Sequence, residues 1–179
     1  MDIQDLIFID VEASGLGVGS WPIEIGLAWF DADETIKTWS SLIRPSPDWH
    51  MDGWDHNAED IHGLSIEDLQ DAPHAFDVAN EFLAFVSARK FVVSDSPAFD
   101  GSWINVLLEE SISTHRIDLV NFRNCTDKMS DQAAKHMRDF LDQSVILHRA
   151  GPDARINAEA FLEGINFDRT VDKFGGLIS

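Results

Sequence analysis

Two acids stand two residues apart in Phe8-Ile9-Asp10-Val11-Glu12, at the end of an apolar run that begins at Leu6. A run this short reads as one buried strand. Side chains alternate faces along a strand, so Asp10 and Glu12 point the same way. Two like charges at the end of a buried strand repel each other and lose hydration. They stay ionised only when a cation compensates them. Oxygen-only ligands suit a hard divalent ion, Mg²⁺ or Mn²⁺. Ser14-Gly15-Leu16-Gly17 follow as a small loop where a substrate can approach the backbone. The plainer reading of the same residues is an acidic, solvated turn.

Two later stretches place polar groups where a core does not need them. In Ser94-Asp95-Ser96-Pro97-Ala98-Phe99-Asp100, an acid enters a helix just after a buried strand. In His148-Arg149-Ala150-Gly151-Pro152-Asp153, a histidine precedes a helix and an acid sits in its first turn. Each acid alone reads as a helix N-terminal carboxylate favoured by the macrodipole. A histidine, with an unperturbed pKa of about 6.5, suits a general base at neutral pH.

The elements that must carry these groups follow from periodicity. Ile23, Ile25, Leu27 and Trp29 alternate over 22–30, a strand by period, and 35–43 reads as its return. Three strands therefore open the chain as an antiparallel meander, and Pro45 and Pro47 end the third. Residues 46–70 have no clean period and hold Trp49, His50, Trp54, His56 and His62-Gly63-Leu64. A loop this long and aromatic is expected to line a site, with a short helix over 66–70 capped by Ser65 and Asp68. Asp71 then reads as the cap of an amphipathic helix reaching about residue 88, with Pro73 just inside it. A short strand over 91–93, a helix over 99–110, a strand over 116–122 and a helix over 130–141 come next. Pro152 starts a last helix, and the tail after Asn166 carries no strong signal. Three leading strands followed by alternating helices and strands make an α/β fold, a mixed sheet flanked by helices.

Composition sets the bounds. A chain of 179 residues with 44% apolar and 25% charged residues is expected to be a single soluble domain over 1–179, with its core at about 6–165 and a tail at 166–179. No membrane span is expected, the acidic N-terminus lacks a signal-peptide pattern, and the one cysteine, Cys125, fits a reducing cytoplasm. The net charge of −19 argues against tight binding of long duplexes. It does not argue against gripping one or two terminal nucleotides through metal ions.

Taken together and in order, these stretches resemble the DEDDh 3′–5′ exonucleases, a family with an RNase H-like sheet. Asp10-Val11-Glu12 leading into Ala13-Ser14-Gly15-Leu16 resembles its first motif. Phe99-Asp100 resembles the end of the second, and His148-Arg-Ala-Gly-Pro-Asp153-Ala is similar to the third, His-x-Ala-x-x-Asp-Ala. His62-Gly63-Leu64 is similar to a His-Gly-Ile element that contacts the terminal nucleotide. Two departures stand out. Ser96-Pro97 replace Asn-Ala in a His-Asn-Ala pattern, and Ala13-Ser14 replace the common Thr-Thr.

The resemblance implies two divalent ions, Mg²⁺ or Mn²⁺, bound by Asp10, Glu12, Asp100 and Asp153. Asp10 bridges both, Glu12 and Asp153 complete one shell, and Asp100 serves the other. It implies His148 as general base, Leu16 as a wedge on the terminal base and Ala13 as a backbone contact to the 3′ hydroxyl, with Ser14, Gly15, His62 and Phe99 also facing substrate. Nucleoside 5′-monophosphates would leave the 3′ ends of single-stranded RNA or DNA. The acidic surface adds an expectation of short oligonucleotides. A sister class that uses a tyrosine base is excluded, because the chain has no tyrosine. Several relatives are homodimers, so a homodimer is a further implication. No clamp-binding or polymerase-tethering segment is evident beyond Asn166, which weakens a proofreading role.

Two other readings compete. A haloacid-dehalogenase-like phosphatase also places acids after its first strand, but needs a second Asp where Glu12 stands. A non-catalytic nucleic-acid-binding domain would have no need of all five polar residues. Trp49 and Trp54 are candidates for base stacking, whereas packing suits Trp21. His50, His56, His74, His115 and His136 read as surface groups.

Overall fold

The computed structural model describes residues 2–111 and 116–175. Its centre is a five-stranded sheet in the order β3-β2-β1-β4-β5. The strands are β1 (Leu6–Ala13), β2 (Pro22–Phe30), β3 (Ile36–Leu42), β4 (Phe91–Ser94) and β5 (Leu119–Asn121). β1, β2 and β3 pair antiparallel as the expected meander, while β4 and β5 add in parallel beside β1. This mixed α/β sheet is the RNase H-like arrangement. His115 lies outside the described residues, and the strand expected over 116–122 is only three residues long.

The helices are α1 (His56–His62), α2 (Ile66–Leu69), α3 (Ala75–Val86), α4 (Pro97–Glu109), α5 (Asp131–Gln143) and α6 (Ala150–Gly175). β1 is buried on both faces, as a central strand should be. Ile7, Ile9, Val11 and Ala13 pack toward α3 and α4, in a cluster with Phe82, Trp103 and Leu107. Leu6 and Phe8 pack on the other side against Ala154, Ala158 and Phe161 of α6. Asp10 and Glu12 continue the face of Leu6 and Phe8, so both acids meet the start of α6.

Three expectations are corrected. α3 begins at Ala75 with His74 at its cap, not at Asp71. The reason is tertiary: Arg44 donates its backbone N–H to the Pro73 carbonyl, and a bridge between Arg44 and His74 keeps the chain extended there. The loop over 46–70 contains an unforeseen helix, α1, capped by the Asp55 carboxylate and closed by Gly63 at φ 69°. Its seven residues show no apolar period, and Ile61 is exposed. The last helix does not fade at Asn166 but runs on to Gly175. It is fastened near its end by Arg169, whose guanidinium donates two hydrogen bonds to Glu34 in the β2–β3 turn.

A missing Cβ sets how closely α6 can approach. A Cβ on Gly26 of β2 would lie 2.1 Å from the backbone of Ala150. Gly26 pairs directly with Asp10. The bare backbone at Gly26 therefore lets the first turn of α6 rest on the sheet beside that acid.

Candidate active site

β1 and β4 run parallel, with Phe8 beside Val93, so their carboxyl ends open at the same edge. Ligands of open α/β sheets bind at such edges. β1 delivers Asp10 and Glu12. β4 is followed at once by Asp95, and α4 then brings Phe99 and Asp100 in its first turn. α6 brings Asp153 in its own first turn, with His148 just ahead.

A groove of about 420 Å³ is lined by Asp10, Glu12, Asp100, His148 and Asp153, together with Leu16, Phe99 and Trp103. All five polar residues expected from the sequence thus meet in one place. They fall into two groups, each with ligand atoms within 4.8 Å of one another. Glu12, His148 and Asp153 form one, and Asp10, Asp95 and Asp100 form the other. Asp95 was missed by the sequence reading. It sits between a buried strand and a helix start, where a solvated acid is ordinary, so only the fold reveals its neighbours.

The electrostatics agree with the crowding. Burial, with Asp100 and Glu12 nearby, pushes the Asp10 carboxyl up to about 9. Burial and Asp153 raise Glu12 to about 7. Burial raises Asp100 to about 7, against the hydroxyl of Ser94, which donates to its Oδ2 at 2.5 Å. Asp95 is also raised by desolvation, although the amide of Asn157 donates to it. Such a set, nearly all carboxylate oxygen with one imidazole, fits hard divalent cations, whose charge would offset the repulsion.

His148 is held by its neighbours. Its backbone lies in the left-handed region at φ 51°, uncommon for a residue with a Cβ. The backbone N–H groups of Leu147 and Arg149 both donate to the Asp153 carboxylate, each at 3.2 Å. Arg149 reaches to the buried Glu24, donating from Nε at 2.8 Å and Nη2 at 2.9 Å. Glu24 is directly opposite Glu12 in the β1–β2 register. Its Oε2 also accepts the N–H of Ala150. Glu24, Arg149 and Gly26 are positioning residues that residue type alone did not single out.

The substrate-loop residues divide. Leu16 and Phe99 are 71% and 50% exposed at the groove, as a contact surface requires. Ser14 faces inward. It is buried, its hydroxyl donates to Gly53 O and accepts from Trp21 N, and its backbone bonds Trp21 O and Asp55 N. These bonds tie the loop to Gly53, Trp21 and Asp55. Ala13 is buried opposite Pro22, and Gly15 packs against Asp55, so neither lines the groove. His62 is buried beside Trp54; its Nδ1 accepts from Leu64 N, while Nε2 has no partner among the described residues. Desolvation lowers its pKa. Trp49 and Trp54 pack on the buried Trp21, at ring separations of 5.6 and 5.7 Å. His50, His56, His74 and His136 are exposed, as expected.

Comparison with known proteins agrees with this arrangement. Residues 7–161 match the model of the RNase T exonuclease family. The chain belongs to that family, the exonucleases of the DEDDh type. Families of this type use divalent metal ions. The chain is 24% identical over 175 residues to the DNA polymerase III subunit epsilon of Rickettsia felis, covering 96% of itself and 67% of that protein. In fold it is similar to E. coli exonuclease I in complex with a dT13 oligonucleotide, at a TM-score of 0.63 and 13% identity, over 96% of this chain and 43% of that one. It is also similar to a 3′-exonuclease solved with a histone mRNA stem-loop, at a TM-score of 0.64 and 14% identity, covering 93% of this chain and 84% of that one. The chain thus spans about two thirds of the epsilon relative and under half of exonuclease I. Among the described residues, no helix is long and apolar enough to cross a membrane.

Proposed function

We propose that this chain removes nucleoside 5′-monophosphates one at a time from the 3′ ends of single-stranded nucleic acid, with short oligonucleotides preferred. The observation that carries the reading is the meeting of Asp10, Glu12, Asp100, Asp153 and His148 around one groove beside two exposed apolar side chains. A phosphodiester resists attack because its own oxygens repel a nucleophile. Two ions, Mg²⁺ or Mn²⁺, held by Asp10, Glu12, Asp100 and Asp153, would neutralise that charge and favour the nucleophilic form of water. His148 takes the proton from the attacking water. Asp153 fixes the turn that presents this ring, and the Glu24–Arg149 pair holds it against the sheet. Leu16 and Phe99 hold the terminal base. The unpaired Nε2–H of His62 is a further donor for that nucleotide.

A haloacid-dehalogenase-like phosphatase is not favoured, because the family match and the sheet are those of exonucleases. A reducing, cytoplasmic setting fits the single buried Cys125. Sedimentation of the purified chain tests the homodimer.

The central test is incubation with Mn²⁺ and 5′-labelled RNA and DNA oligomers. The expected product is a ladder that shortens from the 3′ side, lost in Asp10→Ala and His148→Ala while folding is kept. Shortening from the other end, or full activity in His148→Ala, would refute the reading.

A further inference from the structure

The groove around the carboxylates does not end at Asp95. It opens into a second groove of about 680 Å³, and Asp95, Ser96, Ile146 and Asn157 line both. The far wall of the second groove is built from the turn over 122–128 and from α5, and it carries Arg123 and Arg138. Cations are scarce here: 13 Lys and Arg face 32 Asp and Glu. Lys37, Lys90, Lys135, Arg149, Arg155 and Arg169 are each taken by a carboxylate. Arg123 and Arg138 are both exposed, and neither guanidinium has an ion pair or hydrogen bond among the described residues. One acid on that side, Asp142, shares the groove; Asp95 belongs to the cluster with Asp10 and Asp100.

A strand whose 3′-terminal nucleoside sits against Leu16 and Phe99, with its scissile phosphate at the carboxylates, needs a path for its remaining phosphates. Most of the surface is acidic and repels them. The second groove shares a wall with the first and adds two forked guanidinium groups, the side chains best shaped to bind phosphate oxygens. We infer that the Arg123–Arg138 groove receives the phosphates on the 5′ side of the scissile bond, so that the substrate is a single strand extending several nucleotides beyond the cut rather than a dinucleotide. This rests on the exonuclease reading above and adds the route of the strand to it.

The test is fluorescence anisotropy with a 5′-fluorescein oligothymidylate of ten nucleotides, made with non-hydrolysable linkages at its 3′ end and bound to the full chain. The Arg123→Ala/Arg138→Ala variant is expected to bind about tenfold more weakly. Its plot of log affinity against log salt should be shallower by about 1.4, the contribution of two single-strand phosphate contacts. With cleavable strands, the ratio of kcat/KM for the ten-nucleotide substrate to that for a dinucleotide should fall by a similar factor. Arg123→Lys/Arg138→Lys should keep the salt slope, since charge is retained. A control pair, Lys37→Ala/Arg89→Ala, has the same net charge but lies at the other end of the sheet, near Asp31 and Gln4, and should bind like the parent. Unchanged affinity and salt slope in the arginine double variant, with the parent still shortening strands, would overturn the groove assignment alone. A parent chain that neither binds nor shortens any strand would overturn the exonuclease reading with it.

Discussion

Glu24 and Arg149 stand 125 residues apart in the chain, yet their side chains form a two-bonded ion pair at 2.8 and 2.9 Å. The carboxylate is buried and the guanidinium partly exposed. Arg149→Ala leaves Glu24 buried without its cation, beside Glu12. We expect a loss of about 3 kcal/mol in urea unfolding. The turn that presents His148 loosens with it, so kcat should fall more than KM changes. Arg149→Lys keeps the charge but not the fork, and should recover stability better than activity.

The raised carboxyl values set a pH dependence. Asp10 near 9, with Glu12 and Asp100 near 7, hold protons in the folded state at pH values where the unfolded chain, with ordinary values of 3.8 to 4.5, has released them. The folded state therefore binds more protons than the unfolded one, and stability falls as pH rises through this window. In EDTA, the melting temperature should decline between about pH 5 and pH 9. Added Mn²⁺ binds the ionised carboxylates of the folded state only, so its stabilisation should be larger near pH 8 than near pH 6. A metal-free melting temperature that rises across this range would contradict the site's electrostatics.

Asp95 occupies the place of the histidine in the family's His-Asn-Ala pattern, and in this chain it turns toward Asp10 and Asp100. Asp95→Asn keeps the shape and removes the charge. Titration calorimetry with Mn²⁺ should then show one of two binding steps weakened by about tenfold, with the other nearly unchanged. Equal weakening of both steps, or of neither, would place Asp95 outside the cluster.

Gly26→Ala would push a methyl into the backbone of Ala150. Backbone cannot yield as a side-chain tip can. The expected cost is about 3 kcal/mol or more, read by thermal or urea unfolding. Activity should fall further than stability predicts, because Asp153 and His148 ride on the displaced turn.

Much of this molecule is legible in its residues, for reasons that differ by element. The strand period of 22–30 and the apolar run before Asp10 mark the sheet, since burial on a strand imposes alternation. Asp10, Glu12, Asp100, His148 and Asp153 are recognisable because their order and spacing resemble a family, not because any one of them is unusual. α1 was hidden, as a helix held by Asp55 and Gly63 needs no apolar stripe. Asp95 and Glu24 were hidden because their partners are far along the chain. The partners of Ser14 were hidden too, since Gly53 lies 39 residues further along the chain.

Two arginine clasps, Arg149 just ahead of α6 at Glu24 and Arg169 near its far end at Glu34, hook a single rod onto the same hairpin. Asp153 and Asn157 are one turn apart on that rod, one serving the carboxylate groove and the other shared by both grooves. Any tilt of the rod would therefore alter the two grooves in concert. Breathing of the hairpin, far from any reacting atom, would then change the width of the strand path proposed above.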